Sequence, residues 1–165
     1  MSAQGIFLIN YRNERDLYPP FGIMYVADAL IQAGFDVRLF HETQAQMEAF
    51  LAEVQAARPL FVGLSTITGP QLRPVIETSR RLKALGVPVV WGGVHATIMP
   101  EECLREDYVD FVVVNEGEQT AQELARILAG QSKKDFALVQ GLAWKEDGQP
   151  VVNLERPFIQ DLDQF

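Results

Sequence analysis

Gly92-Gly93 stands directly after the apolar run Val89-Val90-Trp91 and directly before Val94-His95-Ala96-Thr97-Ile98-Met99-Pro100. A buried strand that stops at a glycine pair and opens into small and polar residues lets another body come close to the backbone, because glycine has no side chain to block it. Two other apolar runs end in comparable chemistry. Leu60-Phe61-Val62-Gly63-Leu64 is followed by Ser65-Thr66-Ile67-Thr68-Gly69-Pro70, and Asp110-Phe111-Val112-Val113-Val114 by Asn115-Glu116-Gly117-Glu118-Gln119-Thr120. Hydroxyls, glycines and carboxylates gathered at strand ends suit a large flat ligand held by close backbone approach and scattered hydrogen bonds.

Each of these residues also has a plainer reading. Gly92-Gly93 has a tight turn with no ligand as its minor alternative. Glu116 and Glu118 look like an acid pair, but spaced by one residue around a glycine they suit the cap of a following helix better than proton chemistry. His95 reads as a loop residue hydrogen-bonded to backbone or ligand rather than as a metal ligand. Cys103, on a short helix after Pro100, reads as a small buried hydrophobe. The loop from Tyr11 to Tyr18 is either solvated or a flap over the ligand.

The elements that must position these residues alternate regularly. Ile6 to Ile9, Asp36 to Phe40, Leu60 to Leu64, Val87 to Trp91 and Asp110 to Val114 read as short buried strands. Between them run helical patterns over Gly22–Ala33, Gln44–Ala57 and Leu72–Leu82, then a short helix over Pro100–Glu106, and a last helix carrying Ala121, Leu124 and Leu128. Gly34, Gly86 and Gly130 stop three of them. Strands alternating with helices predict an α/β, flavodoxin-like (Rossmann-like) doubly wound parallel sheet of five strands, order 2-1-3-4-5. In that order the chain reverses direction between strands one and three, and ligands bind at such a crevice beyond the strand ends. Glu146-Asp147-Gly148-Gln149 between two short runs predicts a small C-terminal β-hairpin. Arg156 to Phe165 carries no closing element and reads as a linker.

Composition narrows the partners. A chain of 165 residues with 48% apolar content suits one packed domain. Fourteen basic against 22 acidic residues leave a net charge of −8, which argues against nucleic acid and anionic membrane surfaces. One cysteine rules out an internal disulfide and fits a cytoplasmic location. No apolar run approaches the roughly 20 residues of a spanning helix, and the N-terminus has no signal pattern. A phosphate-binding P-loop, a G-x-G-x-x-G fingerprint and a receiver aspartate after strand three are all missing. The loop Tyr11-Arg12-Asn13-Glu14-Arg15-Asp16 is too bulky and charged for a flavin phosphate.

Taken together, Pro20-Phe21-Gly22-Ile23-Met24-Tyr25-Val26-Ala27, Gly63-Leu64-Ser65, Gly92-Gly93-Val94-His95-Ala96-Thr97 with Pro100-Glu101-Glu102, Asp110-Phe111-Val112-Val113 with Glu116-Gly117-Glu118, and Asp161-Leu162-Asp163 resemble the N-terminal cobalamin-binding domain of cobalamin-dependent radical-SAM enzymes. The resemblance covers essentially the whole chain. It implies a cobalamin site drawn from Tyr11, Pro20, Gly22, Ser65, Thr66, Thr68, Gly92, Gly93, Val94, His95, Thr97, Glu116, Gly117 and Glu118. Ser65 and Thr66 would meet the nucleotide tail, Gly92 and Gly93 would let its base and ribose pass, and Val94 to Thr97 and Glu116 to Glu118 would contact corrin amides or a neighbouring catalytic domain. It further implies residues 1–140 as the cobalamin-binding domain, 141–155 as a hairpin extension and 156–165 as the start of a linker to a radical-SAM domain in cis.

Two departures qualify the likeness. The Asp-x-His-x-x-Gly loop, whose histidine ligates cobalt in cobalamin mutases, is absent, since the two histidines are His41 and His95. A single cysteine cannot supply the Cys-x-x-x-Cys-x-x-Cys iron–sulfur ligands, so neither catalytic residues nor the iron–sulfur and S-adenosylmethionine sites are expected in this chain. The expectation is a domain that binds cobalamin for an enzyme of methyl transfer to carbon or tetrapyrrole-type oxidative cyclisation. The alternatives are a cofactor-less interaction domain of the same fold, and a small-molecule enzyme using another nucleotide cofactor.

Overall fold

The computed structural model describes residues 5–15 and 18–159. Asp16, within the polar loop, and Asp161-Leu162-Asp163 lie outside them. Five parallel strands form the centre of the sheet: β1 (Gly5–Tyr11), β2 (Asp36–Glu42), β3 (Val62–Ser65), β4 (Val89–Gly92) and β5 (Phe111–Val113). The helices are α1 (Phe21–Gln32), α2 (Met47–Ala57), α3 (Leu72–Ala84), α4 (Val94–Ile98), α5 (Pro100–Arg105) and α6 (Glu118–Leu128). The hairpin β6 (Leu142–Glu146) and β7 (Gln149–Val152) is not separate from the sheet. It adds antiparallel to β5, giving seven strands in the order β2-β1-β3-β4-β5-β6-β7 rather than five. An unpaired edge at β5 would leave a row of backbone groups without partners, and the hairpin supplies them.

Alternate residues of each strand serve opposite faces. Phe7, Ile9 and Tyr11 of β1 pack with Val62 and Leu64 of β3 against α2, α3 and α5. Ile6 and Leu8 pack with Val90 and Val113 against α1 and α6. Among the described residues no helix is long and apolar enough to cross a membrane.

Several boundaries differ from the sequence expectation, and three of the differences bear on the site. β1 runs on to Tyr11, because Asn10 and Tyr11 pair with His41 and Glu42 of a longer β2. α6 begins at Glu118 rather than near Ala121, with Gly117 at its N-cap position. The stretch after Gly93, expected to be a loop, is the helical turn α4.

Candidate cofactor-binding site

The parallel register builds the site row by row. Leu8, Gly63 and Val90 lie side by side on one face, and one step nearer the strand ends so do Asn10, Ser65 and Gly92. Gly63, at the centre of the lower row, lets the Leu8 side chain lean across it, with Leu8 Cδ2 2.6 Å from where a Cβ would lie. α1 and α6 roof that face. They are tied to each other where the Gln122 amide donates to the Ala29 carbonyl at 2.7 Å, and nearer their N-termini they leave an opening. The result is a slot of about 450 Å³ between the sheet, α1 and α6. Its deep walls are apolar: Leu8, Gly63 and Val90 from the strands, Phe61 just before β3, Ile23 and Val26 from α1, and Ala121 from α6. Its mouth carries Gly22, Ser65, Gly92, Gly93, Val94, Thr97, Ile98, Asn115, Glu116, Gly117 and Glu118. Val94 and Ile98 stand largely exposed at the rim.

Two glycines of the mouth have different jobs. A Cβ on Gly92 would meet nothing closer than 3.8 Å, so its missing side chain leaves space to the slot itself. Gly93 adopts φ +93°, and a Cβ there would lie 2.8 Å from the Thr66 carbonyl oxygen. That position needs glycine on both counts. The turn it makes lets α4 dock on the end of β3. The Thr66 amide and hydroxyl both donate to the Gly92 carbonyl at 2.7 Å. The same hydroxyl accepts from the Ala96 amide at 3.1 Å, and the Thr66 carbonyl accepts from the His95 amide at 3.1 Å. On the other side of α4, the Thr97 hydroxyl accepts from the Asn115 amide at 3.0 Å, which ties the ends of β4 and β5 together. Asn115 has φ +61°, a left-handed conformation that asparagine tolerates better than most residues.

Glu118 is the electrostatic feature of the mouth. Its side chain is buried, and its Oε2 has no hydrogen-bond partner among the described residues. Burial raises its pKa, its own amide opposes the shift, and nearby Glu116 adds to the rise. Glu116 is committed elsewhere: its Oε2 accepts from the Ile159 amide at 2.6 Å. That contact closes an unexpected link. Arg156, expected in a linker, donates to Thr120 Oγ1 at 3.0 Å, Gln119 Oε1 at 3.1 Å, Glu123 Oε1 at 2.8 Å and the Gln140 carbonyl at 3.2 Å. The segment therefore docks along α6 and brings Phe158 to the slot.

Of the fourteen residues expected in the site, Gly22, Ser65, Gly92, Gly93, Val94, Thr97, Glu116, Gly117 and Glu118 line the slot. The other five stand outside its walls. Thr66 is fully buried with its hydroxyl engaged as above. Thr68 Oγ1 and His95 Nδ1 hydrogen-bond each other at 2.9 Å. Pro20 precedes α1, where its carbonyl accepts from the Met24 amide at 3.2 Å. Tyr11, expected in a loop or flap, is instead the buried last residue of β1 and points to the opposite face, where its hydroxyl meets Thr78 Oγ1 at 2.7 Å. Strand parity sends it there: Tyr11 lies two residues beyond Ile9. The sequence reading missed the deep apolar walls and Phe158. Gly63 inside an otherwise apolar strand was the one local signal for them, since an interior strand glycine marks close approach.

Comparison with known proteins completes the description. The family model for the B12 binding domain matches residues 13–125. The chain is 28% identical over 163 residues to the anaerobic magnesium-protoporphyrin IX monomethyl ester cyclase of Synechocystis, covering 95% of this chain and 32% of that protein. It is 29% identical over 152 residues to an uncharacterized methyltransferase of Pyrococcus horikoshii, covering 89% of this chain and 32% of the relative. The chain thus spans about a third of the length of these curated relatives. Among solved structures, the radical S-adenosylmethionine methyltransferase TsrM of Kitasatospora setae, with cobalamin and a [4Fe-4S] cluster bound, superposes with a TM-score of 0.77 at 22% identity, over 96% of this chain and 30% of that one. The cobalamin-dependent radical enzyme OxsB with aqua-cobalamin and S-adenosylmethionine gives 0.76 at 16% identity, over 95% and 23%.

Proposed function

This chain belongs to the B12-binding domain family, and from that membership we propose that it serves as the cobalamin-holding domain of a larger radical-SAM enzyme. The observation that carries the reading is the slot. It opens at the carboxyl ends of the parallel strands, where open α/β sheets take ligands. A domain that had discarded its cofactor would gain stability by closing that space with larger side chains. Instead, the slot stays open at about 450 Å³, and at its mouth Gly92 carries no side chain where a Cβ would meet nothing closer than 3.8 Å.

The residues present fit the cofactor. Leu8, Ile23, Phe61, Val90 and Ala121 offer an apolar bed for the nucleotide's aromatic base, held between sheet and helices. Ser65, Gly92 and Gly117 form the neck through which the rest of the tail passes. Val94, Thr97 and Ile98 face the rim, where the corrin ring lies in this reading. Thr66, Thr68 and His95 position that rim rather than touching the deep slot, since their polar atoms bond to one another and to α4. Bound cobalamin supplies a methyl carrier or a redox participant, and the protein's part is to place it and shield it. The exposed apolar rim, with Val94 and Ile98 prominent, suits contact with a catalytic domain in cis, of the methyltransferase or cyclase kind seen among the relatives. Residues 156–159 are the start of the connection to that domain.

The test is a visible-absorption titration of the chain with hydroxocobalamin, followed by gel filtration. The expected result is cobalamin co-eluting with protein and an altered spectrum. Colour that elutes only with the small molecules, from this chain and from a longer one carrying the following domain, would overturn the reading.

A further inference from the structure

The outward side of α3 differs in charge from the rest of the chain. Its 13 residues carry Arg73, Arg80, Arg81 and Lys83 against one acid, Glu77, whereas the whole chain has 14 basic residues against 22 acidic. The inward side is ordinary core, with Val75 and Leu82 buried on the face of the sheet opposite the slot. Outward, a groove of about 640 Å³ runs along the helix. Leu72 and Ile76, both half-buried, give it an apolar floor, and Arg73, Glu77, Arg80 and Arg81 wall it.

In a chain with surplus carboxylates, surface cations find acidic partners readily. Lys83 pairs with Asp110, and Arg81 donates to both oxygens of Glu48, at 2.9 and 3.1 Å. Arg73 and Arg80 do not follow them: among the described residues neither makes an ion pair. The Arg80 guanidinium instead lies over the Tyr108 ring, 5.0 Å from its centroid. Such a contact holds the group in place and leaves its N–H donors for a carboxylate.

The spacing describes the occupant. Arg73 and Arg80 are two helical turns apart, about 10 Å along the axis, with Ile76 between them on the same side. A matching partner presents two carboxylates about 10 Å apart and an apolar side chain between them. A phosphate backbone offers the charge but nothing for the apolar floor, and the net charge of −8 repels a long polyanion beyond the groove. The chain's own continuation runs along α6, across the sheet from α3.

We propose that the groove on α3 docks an acidic, amphipathic segment of a separate protein, whose carboxylates pair with Arg73 and Arg80 and whose apolar residue seats on Leu72 and Ile76. The assignment goes beyond the cobalamin reading and does not depend on it, since the groove and the slot lie on opposite faces of the sheet.

The experiment measures fluorescence anisotropy of a labelled, helix-forming synthetic peptide with Glu at positions i and i+7 and Leu at i+3 and i+4. It is titrated with the wild type, with R73E/R80E, and with R126E/K133E, which makes the same charge change on and after α6. The wild type is expected to bind, and to bind several-fold more weakly as salt rises from about 50 to about 300 mM. R73E/R80E is expected to lose at least about tenfold, while R126E/K133E keeps at least half of the wild-type affinity. A peptide with Ser in place of both Leu residues is expected to bind the wild type several-fold more weakly, which separates seating on the floor from charge alone. All of these positions are exposed, so the variants melt at the wild-type temperature. Absence of binding by the wild type, or an equal loss in the two variants, overturns the proposal. So does a single-stranded oligonucleotide that binds the same groove more tightly than the peptide. Sedimentation as a dimer that R73E/R80E dissociates would give the groove to a second copy. Loss of peptide binding in a longer chain carrying the following domain would give it to that domain. Either result overturns a separate partner.

Discussion

The two faces of the sheet are built from the same strands and have opposite fates. Under α2, α3 and α5 the face is filled and its polar groups are paired. The Phe7 and Phe40 rings lie 5.2 Å apart and the Phe40 and Phe50 rings 4.9 Å apart. Tyr11 is bonded to Thr78, and Trp91 Nε1 donates to Ser79 Oγ at 2.9 Å. Under α1 and α6, one residue out of step along each strand, the face ends in Gly63, Ser65 and Gly92, and keeps a slot with an unpaired carboxyl beside it. The difference teaches a division of labour. A parallel sheet covered on both sides can place its stability on one face and leave the other partly hollow for a ligand.

The sharpest way to break that division is to exchange the faces' roles. Gly63→Leu puts a side chain where even a Cβ would lie 2.6 Å from Leu8 Cδ2. It is expected to abolish cobalamin binding in titration, by about a hundredfold or more, at an overpacking cost of about 1–3 kcal/mol in urea melts. The counterpart, Phe50→Ala on the filled face, is expected to cost about 3–5 kcal/mol of stability while the folded fraction binds cobalamin unchanged. If the two variants gave the same pattern, the faces would not be separable.

A smaller effect is expected where the two faces meet. Gly93→Ala forces an unfavourable φ and presses on the Thr66 backbone. A loss of about 2–3 kcal/mol in denaturant unfolding is expected, with weaker binding as well, since α4 forms part of the rim. Tyr11→Phe lies on the filled face alone. It removes one buried hydrogen bond, costs about 1 kcal/mol and leaves cobalamin affinity at the wild-type value.

Alkaline pH sharpens the same contrast. Burial, reinforced by Glu77 and Glu42 against the Thr78 bond, pushes the Tyr11 phenol from 10.0 to about 12. Burial likewise pushes the Cys103 thiol from 9.0 to about 11. Both belong to the filled face. A raised pKa in the folded state means that the unfolded chain loses its proton first. The stability these groups contribute is whole below pH 9 for Cys103 and pH 10 for Tyr11, and is lost as pH climbs to about 11 and 12. Melting temperature is expected to fall across that window, and Tyr11→Phe is expected to flatten the upper part of the fall.

How much of this was legible in the sequence depends on whether the signal was local. The alternation of strands and helices, and the glycines that end α1, α3 and α6, were readable because period and turn chemistry act within a few residues. Ser65, Gly92 and Glu118 were readable as mouth residues because a strand end is marked by its own neighbours. α4 was not readable: five residues are too few to show a period. Its formation depends on hydrogen bonds to Thr66, 30 residues away from Ala96. Arg156 looked like a linker residue because its partners, Thr120 and Glu123, are more than 30 positions away.

The sequence by itself determined the order of elements, the doubly wound class and the family likeness, because these follow from local period, breakers and motif order. Only the tertiary structure decided what was hollow. Leu8, Gly63 and Val90 meet through strand register, and Tyr11 turns away from the slot through strand parity. Register, parity and helix placement are set by contacts between residues far apart in the chain, and no stretch of sequence carries them alone.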